Sequence, residues 1–386
     1  MNGADIAIAG GGISGLTAAT ALAAQGHRVA LYEAATAWGD VGAGITLSPN
    51  AMRGLDHIGL AERVAASGTE PTTQVISHWA DGRTLLEVDR SDSRERYGAP
   101  YVYIHRADLH ALLVEAADAA GVALSLDKRL DALRGGSTGP ELRFADGSGA
   151  RCDLLIGADG LKSVVREGFD PRPPRFSGHI AFRALAPFSD ALLPLVEQPG
   201  MHIGPGKMVV RYPLRQGSLL NLVFFARLDG WTEDGWSIPA TRDELAALFA
   251  DWCDDVATLI EGLDTATLFK WAINAHEPLP TWSRSADTVL IGDAAHAMTP
   301  FLGQGAATGI EDAIVLARAV DGASTQREAL QRYEQARQER CAFIQRESNA
   351  NADRLQGPEA ELYGVGKLRN EETLGLFAYD CRSVAL

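Results

Sequence analysis

Cysteine, positive charge and long apolar runs are all scarce in this sequence. Its four cysteines (Cys152, Cys253, Cys341 and Cys381) lie far apart and form no CxxC pair. That argues against a disulfide framework or a thiolate metal site, and for a reducing, cytoplasmic compartment. With 35 basic against 50 acidic residues the net charge is −15. Such a chain is a poor partner for nucleic acid or an anionic membrane surface, although a local cation can still hold a small anion. No apolar run reaches the ~18 residues of a membrane span. The opening "MNGADIAIAGGG" has no basic segment, so neither a signal peptide nor an anchor is expected. Repeats and low-complexity tracts are missing too. What remains is 386 residues, 46% of them hydrophobic, enough for one large or two ordinary domains.

Glycine is where the sequence becomes informative. "ADIAIAGGGISGLTAATALAAQGHRVALYEA" reads as strand, glycine turn, helix, strand and acid. Residues 5–9 suit a buried parallel strand. Gly10, Gly12 and Gly15 then complete G-x-G-x-x-G, with Ser14 inside it. The first glycine permits a tight turn, the second lets backbone approach a pyrophosphate, and the third lets the helix pack closely on the strand. A helix from Ile13 to about Gln25 aims its N-terminus at the phosphate charge. Glu33, 18 residues past Gly15, is placed to accept ribose hydroxyl hydrogen bonds. The motif indicates one dinucleotide, with NAD and FAD both open. "GAG" (42–44), "GPG" (204–206) and "GVG" (364–366) lack the strand–turn–helix setting, so a second nucleotide must bind transiently or elsewhere.

Two later stretches repeat the grammar of strand, glycine and acid. "RCDLLIGADGLKSVVR" (151–166) carries Asp159, and "LIGDAAHAMTPFLGQGAATGIEDA" (290–313) carries Asp293. In an open α/β sheet, ligands bind outside the carboxyl ends of the strands, so three such ends can meet on one extended ligand. The plainer alternative for Asp159 and Asp293 is that of helix N-caps and nothing more.

The three stretches together resemble the single-component FAD-dependent aromatic hydroxylases, the para-hydroxybenzoate hydroxylase fold. The resemblance covers nearly the whole chain. "YIHRADLHALL" (103–113) is similar to that family's arginine-bearing entry to a helix, and "FAYDCRSVAL" (377–386) to the ends of its salicylate- and hydroxynicotinate-type members. It implies non-covalent FAD, with NADH or NADPH as co-substrate. Glu33 would meet the adenosine ribose and Arg106 the ribityl-phosphate region, unless Arg106 merely pairs with Asp108. Asp159 would support the flavin and the approach of the pyridine nucleotide. Asp293 would bond the ribityl chain or pyrophosphate. Pro300 and the backbone of Gly303, Gln304 and Gly305 would face the isoalloxazine, with the following helix directing its N-terminus at the ring. On this reading His296 is no general base, and its segment is a cradle. The implied reaction is oxygen transfer from O₂ through a flavin C4a-hydroperoxide to a small, electron-rich aromatic substrate. An N-heterocycle, an alkene epoxidation and a non-catalytic redox sensor are the alternatives.

The expected fold is α/β: a Rossmann-like FAD-binding domain (1–72, 97–175 and 285–345), an inserted, mostly antiparallel substrate sheet (73–96 and 176–284) and a C-terminal helical segment (346–386). The insert alternates like strands with turns at "ADG" and "RQG". Residues 327–356 are helical by period and charge pattern. In "GPGKMVVRYPLRQG" (204–217), relatives often carry histidine and tyrosine where this chain has Lys207 and Arg211, and Thr46 stands where some have histidine. Strand alternation puts Lys207, Val209 and Arg211 on one face. If that face lines the cavity, Arg211 clamps a substrate carboxylate and Lys207 stabilises the phenolate; if it meets solvent, both are ordinary surface charges. A monomer or homodimer is expected.

Overall fold

The computed structural model describes residues 3–39, 44–136, 139–231, 233, 235, 237–366 and 368–386; Gly42 of the "GAG" stretch lies outside them. A six-stranded sheet runs in the order Ser283–Arg284, Thr288–Leu290, Leu154–Gly157, Asp5–Ala9, Arg28–Tyr32, Ala123–Ser125. Its pairings are parallel except at the Ser283–Arg284 edge. The central strands are short apolar runs because helices cover both faces. Ile6 and Ile8, Leu154 to Ile156, and Val289 and Leu290 are all buried in one core with the helices Ile13–Ala24 and Gly305–Gly322. All three glycine-and-acid stretches therefore leave neighbouring strands at the same sheet edge.

The second large sheet has eight strands: Ile238–Pro239, Phe269–Ala275, Arg175–Pro187, Leu219–Arg227, Lys207–Leu214, Gly200–Gly204, Thr73–His78 and Thr84–Asp89. It is antiparallel apart from one pair, Gly200–Gly204 beside Thr73–His78. Its faces differ. Phe182, Ala184, Val209 and Phe224 pack on the helical segment carrying Leu245, Phe249, Trp252 and Val256. Met208, Val223 and Phe225 face the other way, with Phe301. The expected "RQG" turn is tight: Arg215 and Gln216 both have positive φ, 48° and 58°.

Two features were not anticipated. One is an antiparallel meander, Leu130–Gly136, Gly139–Phe144 and Gly149–Arg151. The other is a two-stranded pair, Gly44–Leu47 with Val102–His105. The helix Gln326–Gln356 runs past both large sheets, burying Tyr333, Arg337 and Ile344 on one side and Asn351 and Leu355 further on. Among the described residues no helix is long and apolar enough to cross a membrane.

Candidate active site

Between the two sheets lies a cavity of about 490 Å³. At one end the dinucleotide loop lines it with Gly12, Ile13 and Ser14. The three motif glycines differ in what they tolerate. At Gly10 (φ +105°) a Cβ would lie 2.3 Å from the Ala158 carbonyl oxygen, and at Gly15 it would lie 2.0 Å from that of Gly10. These two glycines hold loop, strand and helix together. At Gly12 a Cβ would meet nothing within 4 Å, because that position opens on the cavity. Ser14 fills the gap left by two further glycines: a Cβ on Gly292 or Gly309 would come within 2.4 or 2.1 Å of its Oγ.

Glu33 does more than the motif requires. Its Oε2 accepts from the Gly11 N–H at 2.7 Å and its Oε1 from the Ala35 N–H at 2.8 Å, tying the loop to the end of the Arg28–Tyr32 strand. Arg106 and Asp293 both reach the cavity. Asp293 is open to it yet deep within the protein, and burial raises its pKa against the pull of His296 and Arg106. Burial likewise lowers that of Arg106, opposed by Asp293 and Glu33. Pro300, Gly303 and Gly305 complete this wall, together with Thr46. The side chain of Gln304 turns away from it, with Nε2 donating to Ser48 Oγ and Oε1 accepting from Asn50, both at 3.1 Å.

Asp159 is not part of the wall. Its carboxylate accepts from the Ser163 hydroxyl and from the N–H groups of Val164 (2.8 Å) and Val165 (3.2 Å). Ser163 is the N-cap of the helix Val164–Glu167, and Asp159 supports the same helix start by accepting from its first two N–H groups; its neighbours Ala158 and Gly160 are what the cavity meets. His296 also stays behind the wall. Its Nε2 lies 2.5 Å from Asp312 Oδ2, which also accepts from the Gly292 N–H at 2.9 Å, and Arg337 holds the other Asp312 oxygen at 2.8 Å. This buried cluster fixes the turn that presents Asp293.

The expectation for Lys207 and Arg211 needs correction. The alternation is right but its phase is opposite: Met208, Val210 and Tyr212 line the cavity, while Val209 packs into the helical layer. Lys207 Nζ donates to the Leu248 carbonyl and to Asp251, each at 2.8 Å, above the rings of Phe249 and Trp252. Arg211 borders the cavity, but its guanidinium donates to His202 Nδ1 at 3.1 Å, and His202 Nε2 meets Asp255 at 3.3 Å. Lys207 is therefore turned away from the cavity, and Arg211 borders it with its guanidinium held by His202.

The cation that is presented went unnoticed in the sequence. Arg183 lines the cavity from the long Arg175–Pro187 strand, 5.2 Å from the centre of the Trp271 ring. Among the described residues it makes no hydrogen bond or ion pair, and its Nε is buried without a partner. The signal lay in "IAFRALA", where Ile180, Phe182, Ala184 and Ala186 alternate into the helical layer and leave Arg183 on the opposite face. Beyond it stand Tyr103 and Tyr212, stacked at 4.6 Å, with Tyr103 receiving a 2.6 Å hydrogen bond from Gln74. Arg90 holds Gln74 at 2.7 Å and pairs with Glu371 and Glu372, each at 3.0 Å.

A glycine-lined dinucleotide loop opening on a cavity with a mostly aromatic and aliphatic far wall defines a dinucleotide-binding protein with room for a small apolar ligand beside the cofactor. The open Gly12 position, the helix starts at Ile13 and Gly305, and the Arg106–Asp293 pair fit an FAD along this wall. Comparison with known proteins narrows the class. The sequence matches the FAD binding domain family over residues 3–348. It is 38% identical over 358 residues to 3-amino-4-hydroxybenzoate 2-monooxygenase of Streptomyces platensis, covering 92% of this chain and 89% of that enzyme. Identity to 6-hydroxynicotinate 3-monooxygenase of Pseudomonas fluorescens is 34%, covering 90% of each. A salicylate hydroxylase in complex with substrate superposes with a TM-score of 0.83 at 27% identity, over 98% of this chain and 96% of that one. The chain belongs to the FAD-binding-domain family of aromatic monooxygenases, and FAD is its cofactor.

Proposed function

We propose that this chain uses NADH or NADPH and O₂ to hydroxylate a small aromatic acid held between FAD and the eight-stranded sheet. The observation that carries the reading is Arg183. A half-buried cation lacking an anionic partner is costly, and a ring carboxylate entering the cavity would supply two charge-assisted hydrogen bonds. Both relatives named above act, by their names, on a ring that bears a carboxylate and a hydroxyl group.

Bound FAD supplies the oxygen-transfer chemistry that side chains lack. The residues of the chain hold and dry the ring. Burial pushes Tyr101 up to about 12, and Tyr103 and Tyr212 upward as well. These phenols therefore stay protonated and donate hydrogen bonds to a ring hydroxyl or its anion. Met208, Val210, Val223 and Phe225 exclude water from the reacting face. On this reading residues 1–72, 97–175 and 285–345 hold the flavin, and 73–96 with 176–284 cover the substrate. Residues 346–386 close the far end, where Asn351, Tyr363 and Glu371 reach the cavity.

The reading is tested by NADH consumption with a panel of hydroxybenzoates, aminobenzoates and hydroxynicotinates, with hydrogen peroxide measured alongside. At least one carboxylated aromatic is expected to accelerate consumption and to yield hydroxylated product rather than peroxide. Equal rates with and without every aromatic would leave a simple flavin reductase. A response confined to hydroxypyridine rings would move the substrate to the N-heterocycles.

A further inference from the structure

One histidine stands directly behind the dinucleotide loop. His110 lies one helical turn beyond Arg106 on the helix Arg106–Ala119, so the two side chains share a face. Its Nε2 is 2.7 Å from the Gly11 carbonyl oxygen. A carbonyl only accepts, so Nε2 carries the proton. The Gly11 N–H is held from the other side by Glu33 Oε2 at 2.7 Å. Gly11 is thus fixed at both its polar atoms. A side chain would not fit at this position: a Cβ there would fall 2.7 Å from the Trp38 ring, and Trp38 in turn packs on His110, with ring centres 5.8 Å apart.

A planar trans peptide points its C=O and its following N–H in opposite directions, and the chain has no cis peptide among the described residues. With the Gly11 carbonyl turned to His110, the Gly12 N–H points away from the helix, toward the cavity that Gly12 lines. It has no acceptor among the described residues. We infer that His110 is a positioning residue for the FAD pyrophosphate: its Nε2–H holds the Gly11 carbonyl and so aims the Gly12 N–H at the phosphate. A helix N-terminus attracts a phosphate in any case, and His110 adds the orientation of the donor that precedes it.

The test is FAD binding by apoprotein, followed by quenching of flavin fluorescence, with the thermal midpoint of each apoprotein as a check on folding. His110→Leu removes the donor, and His110→Asn moves it short of the carbonyl. His110→Gln keeps an N–H near the Nε2 position. Leucine and asparagine are expected to raise the FAD dissociation constant about tenfold or more, and glutamine by less than about threefold, as for the loss and retention of one well-aimed hydrogen bond. The apoproteins should melt alike. Wild-type affinity in His110→Leu, or equal weakening in His110→Gln and His110→Asn, would overturn the assignment; the latter would make the imidazole a packing partner of Trp38. If the leucine variant does not fold, the comparison of glutamine with asparagine decides alone.

Discussion

Replacing Gly12 with valine is expected to give a folded but colourless protein. The backbone at Gly12 has φ −77° and ψ −176°, an extended conformation that a β-branched residue adopts readily. Within the protein the new side chain meets no atom near its Cβ, so the fold has no reason to yield. The side chain would instead occupy the ground a pyrophosphate needs, and overpacking of that kind costs about 1–3 kcal/mol or more, roughly a ten- to hundredfold loss of affinity. Circular dichroism should match wild type while flavin absorbance disappears on purification. Gly10 and Gly15 make the contrast: their Cβ positions fall on backbone oxygens at 2.3 and 2.0 Å, and substitution there should cost the fold itself. A yellow Gly12→Val protein with unchanged FAD affinity would show that the phosphates lie elsewhere.

The flavin wall was legible in the sequence because its chemistry is carried by short-range patterns. A glycine at a turn, an acid two strands on and a helix start are local features, and their spacing survives folding intact. The substrate wall is built otherwise. Arg183, Gln74, Tyr103 and Trp271 come from four different strands in two sheets, and only the folding of those sheets around one cavity brings them together. On a strand the period of two leaves one binary choice, which face is which. For Lys207–Leu214 that choice depends on the helical layer holding Phe249 and Trp252, some forty residues away. Lys207 was given the wrong face for that reason, and Arg211, though it borders the cavity, is held by His202. Asp159 is ambiguous for a different reason: the same residue type at the same kind of turn serves at a helix start or as a ligand contact. Its hydrogen bonds to Val164 and Val165 show the first of these.

Arg183→Met is expected to separate binding from flavin chemistry. The methionine keeps much of the volume beside Trp271 but removes the charge. The Michaelis constant for a carboxylated substrate should rise roughly tenfold or more, the effect of losing a charge-assisted hydrogen bond of ~1.5–3 kcal/mol. The corresponding phenol or aniline without a carboxylate should be nearly unaffected. FAD content should stay at wild-type level. Lys207→Met is the control: its ion pair with Asp251 is largely solvent-exposed on the acid's side, so turnover should not change and stability should fall by no more than about 1 kcal/mol. Equal loss with both carboxylated and uncarboxylated rings would place Arg183 against the flavin rather than the substrate. A loss seen instead in Lys207→Met would reverse the assignment of the two sheet faces.

The central claim is that oxygen from O₂ ends on an aromatic ring bound in this cavity. The most direct measurement is turnover of the best carboxylated aromatic from the panel under oxygen-18 gas, with the product weighed by mass spectrometry. One labelled oxygen atom is expected in each product molecule, with product formed in step with NADH consumed. An unlabelled product would mean that the new oxygen came from water, and NADH consumption that yields only labelled peroxide would mean that the ring is not the oxygen acceptor; either result would exclude ring hydroxylation by O₂ in this cavity.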